Sequence, residues 1–530
     1  MEDNQGEQPV MEQKVRRKTV TDPDAPLLLS RPRRYAYGVG HVLNDLCASM
    51  WFSYLLVFYH KVLEFNNVNA GYLMLIGQVS DALCTPLIGY ESDKSRGCRY
   101  GKRKTWHLLG TVCVMCSFVF IFNPVFGGEH SSQWAELVYF APFIFIFQFG
   151  WASTQISHLS LIPELTCVAR ERVALNAVRY TFTVFSNIFV YIICWVLLNS
   201  TSSTSLTSAD IPQFRYLAII VVATGSVFSL IFHCGTTEPR ESVTSSMPCC
   251  IMNMKRYGRA SEQCKMKWKD WLFESQFYQV ALIYMCSRLM VNISQVYIPM
   301  YVTETLMMSK TTIALVPLVI YISGFVSSFF ASQMNKYLGR KMTYFISVMV
   351  FLGGCDWLYA DDIGYQVYGA AVLLGAGGST LLVTSLALTS DLIAHNTESG
   401  AFVYGAMSFT DKLSNGLAVI IIQYLHPCVN CCPACVWFYQ DIQVFVPGGA
   451  GIIALVVLLT LIPVTVGVRK TPPRSMRTAS VVSSSDDSSA SEVEPCEECK
   501  RLFPAVNVNT SKKDYGSVNS GLSENGATTA

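Results

Sequence analysis

The sequence predicts an all-α membrane protein of twelve transmembrane helices in two six-helix bundles. Composition, the spacing of apolar runs and a turn motif that occurs twice carry that prediction. Hydrophobic residues make up 51% of the 530 and charged residues only 14%, whereas a soluble domain carries about a quarter charged. The mean hydropathy is +0.34. A net charge of +2 decides little, because the placement of Lys and Arg matters more than their sum.

A helix that crosses a bilayer needs about 20 mostly apolar residues, and it must satisfy its backbone polar groups internally. Such runs occupy 38–60, 71–90, 106–124, 135–162, 176–198 and 214–234, and then 277–302, 312–333, 341–360, 365–389, 400–423 and 444–466. The chain therefore divides into an N-terminal tail (1–37), a first bundle (38–234), a central loop (235–276), a second bundle (277–468) and a C-terminal tail (469–530). Basic residues fall in alternate connections. Arg31, Arg33 and Arg34 precede the first run, Lys102, Arg103 and Lys104 precede the third, and Lys336, Arg340 and Lys341 lie between the eighth and ninth. Lys61 and Lys310 are the exceptions, in loops otherwise poor in Lys and Arg. This bias predicts that both termini and the central loop are cytosolic. The first forty residues are polar and basic, so no cleavable signal peptide is expected. The last sixty are rich in Ser and Glu, and read as a disordered, phosphorylatable tail.

The second run ends in Gly89-Tyr90-Glu91-Ser92-Asp93-Lys94, followed by Gly101-Lys102-Arg103-Lys104. The eighth ends in Asn335-Lys336-Tyr337-Leu338-Gly339-Arg340-Lys341. Each places an acidic or amide residue before a Gly-basic-basic turn. Glycine permits the tight turn, the cations favour the interface, and Asp93 can pair with them. Recurrence at the same place in each half indicates parallel repeats about the membrane normal. Asp93, Gly101, Lys102, Arg103, Asn335, Gly339 and Arg340 are therefore the candidate gating motifs.

The run Arg99-Tyr100-Gly101-Lys102-Arg103-Lys104-Thr105-Trp106 resembles the major facilitator superfamily, in the branch of sugar–cation symporters typified by melibiose permease. Three longer strings sharpen the resemblance to a vertebrate subfamily: Gly40-His41-Val42-Leu43-Asn44-Asp45-Leu46-Cys47, Gly150 through Glu164, and Gly400 through Phe409. The resemblance spans about residues 35–470. It implies the major facilitator fold and alternating access about a midplane site. For the vertebrate subfamily it implies import of L-cysteine from the cytosol into lysosomes and melanosomes, with a role in pigmentation and in lumenal cystine.

A charge near the centre of a lone span costs about 2.5–3.5 kcal/mol, so such residues pair or line a wet path. Asp45, Asp81, Arg179, Arg288, Asp411 and Lys412 all lie within runs. Structural ion pairing and a polar cavity are the two readings. The resemblance implies that Asp45 and Arg179 match residues at the sugar, and that Asp81 and Lys412 match residues at the coupled-cation site. Thr85 and Gln155 stand where that site carries further carboxylates. Their loss argues against sodium, and leaves Asp45, Asp81 or His158 to carry a proton. A carboxylate and a guanidinium in one site suit an amino acid better than a neutral sugar.

Asp24-Ala25-Pro26-Leu27-Leu28-Leu29 fits an acidic dileucine signal read by a clathrin adaptor, with Asp24, Leu28 and Leu29 as its determinants. Cys428, Cys431, Cys432 and Cys435 cluster in the loop before the last run. Two disulfides are expected in an oxidising lumen, and zinc is the alternative reading of that spacing. No nucleophile elbow, nucleotide loop or metal triad occurs at convincing spacing, so an enzyme is not expected. The basic patches lie at membrane borders, which accounts for them without nucleic acid; lipids are the expected surroundings. A sugar or polar-solute cation symporter is the second reading, and a non-transporting scaffold or sensor the third.

Overall fold

A computed structural model describes residues 29–95, 99–127, 131–166, 168–201, 203–238, 266, 268–360, 363–394, 396–428 and 435–468. Asp24, Leu28, Cys431 and Cys432 lie outside the described residues. So do 239–265 of the central loop and the tail from 469.

Twelve long helices run through the described residues. The first half holds α1 (Arg31–Val62), α2 (Asn67–Lys94), α3 (Lys102–Ile121), α4 (Gln133–Leu165), α5 (Ala169–Asn199) and α6 (Ile211–Gly235). The second half holds α7 (Ser275–Thr305), α8 (Thr312–Tyr337), α9 (Arg340–Trp357), α10 (Val367–Ile393), α11 (Thr397–Tyr424) and α12 (Val436–Leu461). Ten are long and apolar enough to cross a membrane on length and composition alone. The other two, α9 and α11, are diluted by charges that include Arg340, Lys341, Asp411 and Lys412. They complete the same six-helix arrangement in the second half.

The halves repeat one packing plan. α3 packs on α4, α4 on α2 and α1 on α6, and their counterparts α9 on α10, α10 on α8 and α7 on α12 do the same. Hydrophobic burial against lipid gives helices little reason to associate, so small residues bring backbones together. At the α3–α4 crossing, a Cβ on Gly110 would sit 2.6 Å from the Gly150 carbonyl oxygen, and one on Gly150 would sit 2.8 Å from that of Gly110. Both α1 and α7 end in a five-residue π-turn, Phe58–Val62 and Tyr301–Thr305. The irregularity thus recurs at equivalent places, and π-turns concentrate at functional positions.

The halves meet along three seams, α2 with α11, α5 with α8, and α1 with α7. Two faces follow from the chain's course. One carries the α2–α3, α4–α5 and α8–α9 turns, the start of α1 and the end of α12, and is called the terminal side. The other, the distal side, carries the α1–α2, α5–α6, α7–α8 and α11–α12 connections.

Candidate functional site: a cavity between the halves

The two candidate gating motifs share a positive-φ glycine turn and differ in their charged contacts. Gly101 has φ +119° and Gly339 φ +78°, so glycine is required at both turns. Arg103 donates from Nη2 to Asp93 Oδ1 at 2.5 Å and from Nε to Glu164 Oε1 at 3.0 Å. Lys102 Nζ donates to the Asp93 carbonyl at 2.6 Å. Glu238, just past α6, accepts the backbone N–H groups of Lys102, Arg103 and Lys104 at 3.0, 3.1 and 3.0 Å. Its carboxylate therefore caps the electropositive start of α3. In the second half the Asn335 Oδ1 is buried without a hydrogen-bond partner, and Arg340 pairs with Asp391 and the Ala387 carbonyl instead. The second half thus lacks the anion of the α2 type and keeps the other, since Asp391 on α10 meets Arg340 as Glu164 on α4 meets Arg103.

A cavity of about 390 Å³ lies between the halves, lined from α1, α5, α7, α8, α9 and α10. Its polar lining includes Asp45 and Asn187 from the first half and Arg288, Gln295 and Tyr321 from the second. Asp45 accepts from Thr183 Oγ1 at 2.9 Å and lies 2.9 Å from His41 Nδ1. Arg288 Nε is buried without a hydrogen-bond partner, and its nearest carboxylate oxygen, Asp411 Oδ2, is 4.0 Å away. Tyr284 lies under this guanidinium, 5.3 Å from the ring centroid. A cation of this kind, half-satisfied on a cavity wall, can accept an anionic group.

A second cluster sits on the α2–α11 seam. Lys412 Nζ lies 2.6 Å from Asp81 Oδ1 and donates to Thr85 Oγ1 at 2.9 Å, while Thr85 donates to Asp81 at 3.0 Å. Asp411 is held by Asn415 Nδ2 at 2.7 Å. Asp81, Thr85, Asp411 and Lys412 are therefore neighbours. Gln155 is not among their partners: it accepts from Trp151 Nε1 at 3.0 Å. Arg179 and His158 stand behind the cavity wall. Arg179 Nη2 donates to His41 Nε2 at 3.2 Å. His158 stacks on Tyr37 with ring centroids 4.2 Å apart and bonds the Tyr37 carbonyl from Nε2 at 2.8 Å.

The bridges between the halves run along the midplane and the distal side. Lys310 Nζ lies 2.6 Å from Asp210 Oδ1 and 2.6 Å from Thr201 Oγ1, and its backbone N–H donates to the Thr204 carbonyl at 2.9 Å. Lys61 and Glu304, one on each π-turn, pair at 2.7 Å. Asn67 Nδ2 donates to the Cys428 carbonyl at 2.8 Å. Terminal-side pairs such as Arg34–Glu171, Arg103–Glu164 and Arg340–Asp391 each close within one half. Among the described residues, the ion pairs that join the halves away from the midplane therefore lie on the distal side. Cys428 and Cys435 form a disulfide there. His426, beside Cys428, has its imidazole pKa lowered chiefly by burial.

Residues 36–468 match the family model described as MFS/sugar transport protein. The chain belongs to this family of the major facilitator superfamily. It is 52% identical over 456 residues to human major facilitator superfamily domain-containing protein 12, covering 83% of this chain and 94% of that protein. It is 49% identical over 476 residues to the mouse protein of the same name, covering 85% and 98%. Among solved structures, the inward open xylose transporter XylE from E. coli aligns with a TM-score of 0.60 at 13% identity, covering 79% of this chain and 94% of that one. The inward-facing bacterial homologue of the iron transporter ferroportin aligns at 0.56 and 14% identity, covering 81% and 100%. These last two likenesses show the fold. The chain is a multi-pass major facilitator transporter of a small polar solute rather than an enzyme, and no group of three or more metal-binding side chains occurs among the described residues.

Several residues in and around the candidate site escaped sequence reasoning. His41 lies one helical turn before Asp45, so the i, i+4 spacing could have found it. Thr183, Glu164, Glu238 and the Lys310–Asp210 contact come from distant segments, and local pattern gives no sign of them.

Proposed function

We propose that this transporter carries a small zwitterion by alternating access, with L-cysteine as the leading substrate, from the cytosol into the lumen of lysosomes and melanosomes. The observation that carries the reading is the placement of Asp45 and Arg288 on facing halves of one cavity. A substrate ammonium suits Asp45, and a substrate carboxylate suits the under-bonded Arg288. A volume near 390 Å³ falls within the usual range of small-molecule sites, about 300–1,000 Å³. Closing both halves on one solute links binding to their rocking motion. Cysteine itself, and the roles in pigment synthesis and lumenal cystine, rest on the resemblance to the vertebrate subfamily.

In this reading the terminal side is cytosolic, the distal side is lumenal and the described state is open toward the cytosol. The dileucine signal directs the protein to lysosome-related membranes through a clathrin adaptor. Of its residues, Leu29 packs partly buried beside the core. A sugar or other polar-solute cation symporter is the second reading, favoured by the family's description and the likeness to a xylose transporter. Sodium suits neither reading well, because the Lys412 ammonium already occupies Asp81 and Thr85.

The test is flux at the cell surface. Leu28→Ala with Leu29→Ala should bring the protein there, so that the medium faces the lumenal side. Efflux and exchange of labelled cysteine are then followed beside a sugar panel. Asp45→Asn and Arg288→Gln, at equal surface amount, should each lower cysteine flux about tenfold or more, the loss of one charged hydrogen bond. Sugar flux without cysteine flux would move the assignment to the second reading. No flux of any solute would favour a membrane sensor.

A further inference from the structure

His41 is placed between Asp45 and Arg179. Its Nδ1 lies 2.9 Å from Asp45 Oδ1, and its Nε2 lies 3.2 Å from Arg179 Nη2. A guanidinium can only donate. Nε2 is therefore the accepting nitrogen, and the neutral ring carries its hydrogen on Nδ1, donated to Asp45. The other Asp45 oxygen accepts from Thr183. Arg179 Nε is buried without a hydrogen-bond partner, so this guanidinium is held loosely and reaches Asp45 through the imidazole.

The other titratable groups around His41 do not share this arrangement. From α4, His158 lies 5.8 Å away between ring centroids, and it donates from Nε2 to the Tyr37 carbonyl. From α3, His107 donates from Nε2 to the Gly40 carbonyl at 3.0 Å. Its Nδ1 therefore accepts from His233 Nε2 of α6 at 3.1 Å, and His233 Nδ1 accepts from Tyr100 at 2.7 Å. On α1 itself, the Tyr37 hydroxyl donates to the His158 carbonyl at 2.9 Å. α6 faces the cluster with Phe232. In this group, His41 is the imidazole whose accepting nitrogen faces a cation and whose donating nitrogen faces an anion.

We propose that His41 couples transport to protons by competing with the solute for Asp45. One proton taken up by Nε2 converts the ring to imidazolium. The hydrogen bond from Arg179 is then lost, and two cations face each other. The His41–Asp45 contact becomes an ion pair, and the carboxylate is no longer available to a solute ammonium. Loss of that proton restores Arg179 to Nε2 and frees the Asp45 charge. Each cycle thus exchanges one solute for one proton. The proton enters from water on the side where solute leaves, and returns to water on the side where solute binds. Acid on the distal side therefore expels the solute there. The inference rests on the reading that Asp45 holds the solute's ammonium group.

The experiment uses the full chain, purified, with binding of cysteine and a panel of amino acids, amines and sugars read by thermal stabilisation. Two pH values straddle the histidine range, about pH 7.5 and about pH 5. The variants are His41→Asn, which retains a donor toward Asp45, and His41→Gln, which retains an acceptor toward Arg179. Neither titrates. Wild-type affinity should fall about tenfold or more on acidification, the equivalent of one pKa unit. The variants should bind almost equally at both values. His158→Gln should keep the wild-type fall. A lightly buffered wild-type sample should also release protons on binding solute, about half a proton per solute at the imidazole pKa and approaching one below it, a measurement that needs no variant. Wild-type affinity unmoved by acid, no proton release, or a binding His41 variant that keeps the full acid response overturns the proposal. So does a His158 variant that loses that response. Refusal of cysteine with binding of another amino acid or amine sinks only the substrate assignment, and His41 is then judged on that solute. A panel in which sugars alone bind, equally at both pH values, sinks the proposal itself.

Discussion

Lys310→Met should open the distal side. Lys310 and Asp210 pair at 2.6 Å with each side chain only 2% exposed, and they join the α7–α8 connection to the α5–α6 connection. Burial that deep removes the solvent screening that makes surface pairs weak. Removing one partner of a buried pair costs about 3–5 kcal/mol, because it strands the other charge. The stranded Asp210 suffers that cost in the closed state; opening the distal side hydrates it. At about 1.4 kcal/mol per factor of ten, the equilibrium should shift toward the distal-open state by about two to almost four powers of ten. Adding Asp210→Asn removes the stranded charge, and a neutral, packed pair is often no less stable than an ion pair. The double variant should therefore regain most of the closure. Hydrogen exchange by mass spectrometry reads both sides at once. Lys310→Met should raise exchange at the distal ends of α5, α7 and α8 and lower it at the terminal ends of α4, α10 and α11. Exchange unchanged from wild type would refute the reasoning. So would a uniform rise on both faces with a lower melting temperature, or a double variant as open as the single.

Three further outcomes are expected. Glu238→Ala removes the acceptor for three N–H groups at the start of α3, and should cost about 0.5–2 kcal/mol, seen as a lower melting temperature; Glu238→Gln should recover part of it. Gly77→Ala drives a Cβ into the Trp51 ring, whereas a Cβ on Gly89 meets nothing within 4 Å. The first should destabilise by about 1–3 kcal/mol, as overpacking does, and Gly89→Ala should leave thermal melting nearly unchanged. Cys428→Ser with Cys435→Ser opens a loop of sequence separation 7, and should cost about 2 kcal/mol by chain entropy, read as earlier melting in non-reducing buffer.

The fold was legible because the bilayer allows so few answers: a run of about twenty apolar residues must be a helix. The candidate site was legible in part. Asp45, Asp81, Arg288, Asp411 and Lys412 stood out as charges in apolar runs, and each lines the cavity or the α2–α11 seam. Their partners were harder to read. Thr183 lies 138 residues from Asp45 and Lys412 lies 327 from Thr85, and periodicity carries no information at such separations. Asn335 misled for a similar reason. The repeat suggested that it would stand in for Asp93, yet the anion that meets Arg340 is Asp391, on α10.

One feature of the distal side could have been read from sequence. Lys61 and Lys310 broke the charge bias between alternate loops. A Lys kept on the side poor in cations gains nothing from the interface, so its retention calls for a carboxylate partner. The structure pairs Lys61 with Glu304 and Lys310 with Asp210, each across the boundary between halves. The two exceptions to the topology rule are thus the two ion pairs of the distal seal. In the proposed alternating-access cycle both pairs break each time the distal side opens, so their worth lies in the difference between closed and open forms rather than in the stability of either. A charged pair suits that role better than an apolar contact, because water can take up both charges when the halves part.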